Sequence, residues 1–359
     1  MPCGLARVER HRFVLPGDGT VPELELDLSI APATTASPDE SLLILYVLDP
    51  EPSLFGAAAL HAYSGSGYFA SAPEAAPEAR YRRLCVVGVG HAREAYGANA
   101  RGWDAPALRA LRRRDYPPYD HAAITPGHAL NAHAARLASA FATSIFPHVE
   151  GELLGLRVPP ARRALLGASY TATLALQVLL RAPHHVLDAY VLGSPSVPFD
   201  PELLEWLTTP NTALTTPNTA LIDASGAVRP VQHGAHHAQH DASGAVRPAG
   251  VFSRHQQSSA AISSHSGAAQ PAGVFVAYGE REREPPPPPD APATQWTSLR
   301  ANVHRGIPEA SHQLAAVLRA RGLVVEGAVE IAGEDHTSLK LSLVSRGIGW
   351  LINERWATA

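Results

Sequence analysis

The sequence predicts an α/β protein with a mostly parallel central sheet and helices on both faces. Three observations lead there. Short, almost wholly apolar runs recur along the chain, and strands buried on both faces read this way. Helical segments lie between them, the alternation expected of parallel strands joined by crossovers. The chain has 359 residues, 45% of them hydrophobic, enough to bury such a sheet in one large domain.

Residues 10–30 come first and differ from the rest. Arg12–Leu15 and Leu24–Leu28 alternate polar and apolar residues on either side of a Gly17-Asp18-Gly19 turn. That pattern predicts an antiparallel hairpin at a sheet edge. Ser41–Leu48 is the first continuous apolar run and ends at Asp49-Pro50. Leu84–Gly90 is the second, Ala164–Leu166 begins a third, and Ala189–Gly193 is the fourth. Val274–Tyr278 and Val324–Ile331 complete the set. Helices are expected over Leu137–Ile145 leading into Phe146–Glu150, over Ala172–Leu180, and as amphipathic segments over Ser311–Arg321 and Ser342–Asn353. Ligands of such sheets bind beyond the carboxyl ends of the strands. Asp49, Gly90, Ser169 and Ser194 all follow strands on that edge.

Residues 208–272 break the pattern. Thr-Thr-Pro-Asn-Thr-Ala-Leu occurs at 208–214 and again at 215–221, and Asp-Ala-Ser-Gly-Ala-Val-Arg-Pro at 223–230 and 241–248. The periods match no solenoid, and large apolar residues are too sparse to pack a core. The expected organisation is one domain formed by 1–207 and 273–359, with 208–272 as a low-complexity, disordered insertion. Glu282–Pro289 is a shorter irregular stretch, expected to be extended as polyproline II.

Charge and composition exclude some classes. The 29 basic and 33 acidic residues leave a net charge of −4, and no basic stripe marks a nucleic-acid partner. Cys3 and Cys85 make no disulfide framework and read as free thiols. Met1–Arg12 lacks an apolar signal core, and no stretch approaches the ~18 apolar residues of a membrane span. A soluble, cytoplasmic protein is therefore expected. The sequence carries no signal for its oligomeric state.

The chemistry concentrates at residues 163–171, Arg-Ala-Leu-Leu-Gly-Ala-Ser-Tyr-Thr. A short apolar strand runs into a tight turn with Ser169 at its tip, and a helix-forming run follows. Strand, sharp turn and helix make the nucleophile elbow of α/β-hydrolases, whose usual pattern is G-x-S-x-G. Gly167 and Ser169 fit it, and Thr171 stands where the second glycine belongs.

A serine hydroxyl is a weak nucleophile that needs a base within hydrogen-bond reach and an acid to orient that base. In this fold the chain order is serine, acid, histidine. His336, in Gly333-Glu-Asp-His-Thr-Ser338 between the last expected strand and helix, is the candidate base. The acid should follow the Val274–Tyr278 strand, where Gly279-Glu-Arg-Glu282 offers Glu282 and, as its competitor, Glu280. Asp335 is too close to His336 in the chain to face it. The oxyanion donors expected are the backbone N–H of Tyr170 and one after Leu48. Pro50 has no N–H, which leaves Glu51 or a later residue.

In four blocks the chain resembles the esterase family of α/β-hydrolases that includes the siderophore (enterobactin-type trilactone) esterases. They are Ile44–Asp49; Val86–Gly90 with Arg112–Pro118; Phe146–Glu150 through Gly167–Tyr170 and Gly193-Ser-Pro-Ser196; and Gly333–His336. Together they span roughly residues 10–207 and 273–355. The chain departs from the family at Ala168, Thr171 and Pro50, and in the 208–272 segment. The resemblance implies an α/β-hydrolase fold, a serine esterase activity and a siderophore-like or other organic ester as substrate. Some members use a Ser-His dyad, so an acid partner is not obligatory.

Two further clusters draw a blander reading. His233, His236, His237 and His240 have no carboxylate or cysteine to complete a metal site, so neither metal nor cofactor is expected. Arg112, Arg113 and Arg114 read as a solvated patch, with recognition of an acidic substrate as the alternative. The expectation is a Ser169–His336–glutamate hydrolase of small-molecule esters. The alternatives are a thioesterase or acyltransferase on the same machinery, or a hydrolase-fold binding or scaffold module, which the altered elbow at Thr171 would suit.

Overall fold

Eight strands form one sheet in the computed structural model, which describes residues 8–17, 19, 22–33, 41–48, 52–68, 80–92, 106–116, 132–181, 186–197, 271–283, 306–336 and 338–357. They are β1 (Glu9–Leu15), β2 (Leu24–Ala31), β3 (Leu43–Leu48), β4 (Leu84–His91), β5 (Arg162–Ala168), β6 (Ala189–Gly193), β7 (Gly273–Gly279) and β8 (Val324–Ile331). Their spatial order is β1-β2-β4-β3-β5-β6-β7-β8. The expected hairpin is there: β1 and β2 pair antiparallel, with Phe13 opposite Leu26, and β2 continues antiparallel onto β4. From β4 to β8 every pairing is parallel.

The helices are α1 (Pro52–Tyr68), α2 (Pro106–Asp115), α3 (Ala132–Ala140), α4 (Tyr170–Arg181), α5 (Ile307–Ala320) and α6 (Leu339–Trp350). Beyond α3 the chain stays helical through wider π turns at Phe141–Ile145 and His148–Leu153. Pro147 lies between them, where its missing N–H would interrupt an ordinary α-helical ladder.

Alternation along the strands builds two cores. Ile44, Tyr46 and Leu48 point to one face, with Phe141, Leu174 and Leu314 from the α3, α4 and α5 side. Leu43, Leu45 and Val47 point to the other, against Leu54 and Ala58 of α1 and Leu343 and Ile348 of α6. β8 departs from expectation. Only Ile331 is buried, and the residues before it are half-buried or exposed, because β8 is the sheet's outer edge and has one neighbour. Among the described residues no helix is long and apolar enough to cross a membrane. The expected 208–272 insertion lies outside the described residues, apart from Pro271 and Ala272 at the entry to β7.

One buried polar cluster ties β3, β5 and the second π turn together. Arg163 clasps Glu150 with two hydrogen bonds of 2.6 Å, and the Tyr46 hydroxyl donates to the same carboxylate at 3.0 Å. Removing one partner of such a pair leaves the others buried and uncompensated. Glu150→Ala should lower the unfolding free energy by about 3 kcal/mol, the low end for breaking a buried ion pair, because 22% of the Arg163 side chain reaches solvent. Urea denaturation measures it, and a loss below about 1 kcal/mol, the value of an exposed pair, contradicts it.

Candidate active site

The elbow is built where β5 ends. Ser169 lies between the last residue of β5 and the first of α4, with φ at 60°. A non-glycine residue held there costs of order 1–3 kcal/mol and persists only where its surroundings fix it. Here the Ser169 N–H donates to the Gly193 carbonyl of β6 at 2.8 Å, and the Ser169 carbonyl accepts from the Ala172 N–H at 3.0 Å. Gly167 makes the turn sterically possible, since a Cβ there would lie 2.4 Å from the Thr171 carbonyl oxygen.

Thr171, a departure from the family pattern, is part of this construction. Its hydroxyl accepts from the Ala168 N–H at 2.9 Å and donates to the Ala168 carbonyl at 2.8 Å, with the residue 1% exposed. The backbone of Ser169 faces β6, so the groups of Ala168 face the β3 side, where strand pairing stops at Leu166. One hydroxyl thus satisfies two buried backbone groups that the sheet leaves behind. Thr171→Val keeps the shape and orphans both. It should cost about 1–3 kcal/mol, the penalty for an unsatisfied buried polar group, while Thr171→Ser retains most of the stability. Thermal unfolding of the two variants checks this, and equal melting of Thr171→Val and wild type contradicts it.

Three sequence candidates meet in one chain of hydrogen bonds. Ser169 Oγ lies 3.0 Å from His336 Nε2, and His336 Nδ1 lies 3.1 Å from Glu282 Oε1. Glu282 is 4% exposed. Facing a buried carboxylate, Nδ1 carries the imidazole proton, which leaves Nε2 as the acceptor facing the serine. This is the order of groups that activates a serine oxygen.

Two serines absent from the expected set complete the cluster. Ser194 Oγ donates to Glu282 Oε1 at 2.6 Å, and Ser196 Oγ lies 3.2 Å from Ser169 Oγ. Ser194 also has a left-handed backbone, φ 41°, and its N–H donates to Ala277 of β7 at 2.7 Å. A Gly-Ser-Pro-Ser turn directly after β6, on the sheet edge that binds ligands, was the available signal for both.

The two glutamates differ in where each points. Glu280 and Glu282 share a 3-10 turn after β7. Glu282 turns inward to the histidine, while Glu280 Oε2 accepts from the Gly333 N–H at 2.7 Å. The Arg281 N–H donates to the Glu334 carbonyl at 3.0 Å. A Cβ on Gly279 would lie 2.4 Å from that same carbonyl oxygen, so only glycine lets the loop come so close. The turn bearing Glu282 and the loop bearing His336 are therefore fastened to each other. Asp335 faces away from the histidine chain: it accepts from the Ser338 N–H at 2.8 Å, while its own N–H donates to Ser338 Oγ at 2.9 Å.

Of the oxyanion candidates, Tyr170 is the first residue of α4, beside the serine, and Glu51 lies outside the described residues. The histidines at 233, 236, 237 and 240 also lie outside them. Among the described residues no three His, Cys, Asp or Glu side chains gather as a metal site. The arginine patch is more organised than expected. Arg114 makes two hydrogen bonds, 2.6 and 2.8 Å, to the fully buried Asp115, which also meets His91 Nε2 at 2.8 Å and His133 Nδ1 at 3.2 Å. Burial alone would raise the Asp115 pKa, but the hydrogen bonds from His91 and Arg114 outweigh it and hold the carboxyl below its usual range.

A mostly parallel sheet with a serine-bearing elbow after β5, a glutamate turn after β7 and a histidine loop after β8 is an α/β-hydrolase fold, and solved structures share it. Siderophore hydrolase EstA from Aspergillus nidulans superposes with a TM-score of 0.62 at 19% identity, covering 98% of this chain and 97% of that one. Siderophore hydrolase EstB from the same fungus gives 0.60 at 18%, over 95% and 94% of the two chains. The BES protein from Bacillus cereus gives 0.56 at 17%, over 98% and 96%. No family model and no curated protein matches the sequence. At these identities the likeness establishes the fold.

Proposed function

We propose that this chain is a serine carboxylic-ester hydrolase in which Ser169 attacks, His336 moves the proton and Glu282 orients the histidine. The observation that carries the reading is the continuous Ser169–His336–Glu282 hydrogen-bond chain, at 3.0 and 3.1 Å, hung on a left-handed elbow. The ester carbonyl carbon bonds to Ser169 Oγ while the serine proton passes to His336 Nε2. The leaving alkoxide takes that proton as its bond to the acyl carbon breaks. Water then adds to the acyl carbon and gives its proton to Nε2. The carbon–Oγ bond breaks and Oγ recovers the proton. The Tyr170 N–H, at the start of α4, and that of Glu51 are the donors assigned to the oxyanion.

Siderophore-type and other organic esters are the substrate class this reading favours, supported by the named activities of the two Aspergillus nidulans hydrolases that share the fold. Residues 208–272 are assigned to an insertion in a single hydrolase domain. The direct parallel pairing of β6 with β7, Ala189 beside Gly273, supports that assignment. The binding-module reading loses its motive, because the Thr171 hydroxyl and Gly167 accommodate the altered elbow. The test needs no knowledge of the substrate. A fluorophosphonate probe should label the native protein once, at Ser169, as located by peptide mass spectrometry. Absence of labelling, or labelling elsewhere, rejects the proposal.

A further inference from the structure

We infer that Ser196 is a second catalytic hydroxyl, a donor to the nucleophile oxygen that acts chiefly when the acyl-enzyme breaks down. The inference rests on the esterase reading above.

The direction of the Ser196 contact follows from proton accounting. Glu282 is acceptor-only when ionised, so the His336 proton sits on Nδ1, 3.1 Å from Oε1. Nε2 is then an acceptor, and the Ser169 hydroxyl spends its single proton on it across 3.0 Å. The 3.2 Å contact between the two serine oxygens therefore has one available polarity: Ser196 donates and Ser169 Oγ accepts. Ser196 is 3% exposed, so water competes poorly for that proton. Its backbone is held near by β6, whose last residue, Gly193, lies three positions earlier and accepts from Ser169 N–H.

Only an interaction stronger in the transition state than in the ground state accelerates a step. In the free enzyme Oγ is a hydroxyl oxygen and a good acceptor, so the Ser196 bond is already formed before attack. In the acyl-enzyme Oγ is the alkoxy oxygen of an ester, a poor acceptor because its lone pair is drawn toward the carbonyl. When water has added and the carbon–Oγ bond breaks, the electron pair returns to Oγ. Charge then appears 3.2 Å from the Ser196 hydroxyl, while Nε2 delivers the proton. The hydrogen bond gains most in that step. Ser196 thus helps Ser169 leave more than it helps Ser169 attack.

The test compares wild type, Ser196→Ala, Ser196→Thr and Ser169→Ala on a short p-nitrophenyl ester. Pre-steady-state release of p-nitrophenol and intact-mass detection of the acyl-enzyme separate the two half-reactions. Ser196→Ala should slow deacylation about tenfold, the worth of one hydrogen bond of ordinary strength. It should change kcat/KM and the rate of fluorophosphonate labelling by less than about threefold, so acyl-enzyme accumulates. Ser196→Thr, which keeps the hydroxyl, should restore deacylation and guards against misfolding of the alanine variant. Equal losses in both half-reactions, or no loss in either, overturn the inference while leaving Ser169 as nucleophile. If Ser169→Ala hydrolyses as fast as wild type, the esterase reading itself fails and the role of Ser196 falls with it.

Discussion

Ser169→Ala should lower kcat/KM for a p-nitrophenyl ester by about 10⁴-fold or more, the scale at which triad nucleophiles are lost. His336→Ala should do nearly the same, and the double variant should be little worse than either. The reason is that the two groups act as one device. Without the histidine the serine keeps its proton, and without the serine the histidine has nothing to activate. The residual rate then comes from the oxyanion donors and from binding, which neither substitution touches. The measurement is a triple comparison at one pH with each variant's folding checked by circular dichroism. Losses that multiply in the double variant would mean independent roles and would break the link implied by the 3.0 Å Oγ–Nε2 contact.

Glu282→Gln should lower kcat by about 10³–10⁴-fold, the cost of presenting the wrong hydrogen-bond partner to a triad histidine. The amide has the carboxylate's shape, so packing around this 4% exposed residue survives. Its charge is gone, so even with the amide oxygen at the Oε1 position accepting from Nδ1 and Ser194 Oγ, no negative charge faces the ring. The imidazolium that forms when Ser169 attacks is then unsupported in a buried site. Glu280→Gln is the matched control. It disturbs only the hydrogen bond to the Gly333 N–H, and its kcat should stay within about threefold of wild type, the spread expected for one surface-side hydrogen bond. A larger loss from Glu280→Gln than from Glu282→Gln would reverse the assignment of the acid.

Much of this was readable in the chain, for physical reasons. β3 to β7 are buried on both faces, so their composition announces them whatever lies around them. β8 has the same flavour of residues and a different position, and a sequence does not state which strand is outermost. α1 went unexpected because its alanines, glycines and serines spread around the helix and leave no periodic stripe. Ser169 and His336 stood out through chain order and their places after strands. The choice between Glu280 and Glu282 was not readable, because side chains two positions apart on a tight turn point in different directions, and only the base loop shows which is inward. Thr171 departs from the G-x-S-x-G pattern, and that pattern carries no information on the two backbone bonds its hydroxyl makes to Ala168. Ser194 and Ser196 lay in a motif already noticed, but their use depends on Glu282 and Ser169 arriving from elsewhere in the chain.

β6 and β7 are neighbours in the sheet, yet among the described strands the longest sequence stretch between consecutive ones separates Gly193 from Gly273. Loop-closure entropy rises only logarithmically with length, about 0.6 kcal/mol for each doubling. Ser169 lies before that stretch, while the Glu282 turn and the His336 loop lie after it, bound to each other through Gly279, Arg281 and Glu280. Sequence added between β6 and β7 therefore leaves the segment that carries both the Glu282 turn and the His336 loop unaltered. A longer connection at that point carries only this slowly growing closure cost, and the contacts among Ser169, His336 and Glu282 need not change with it.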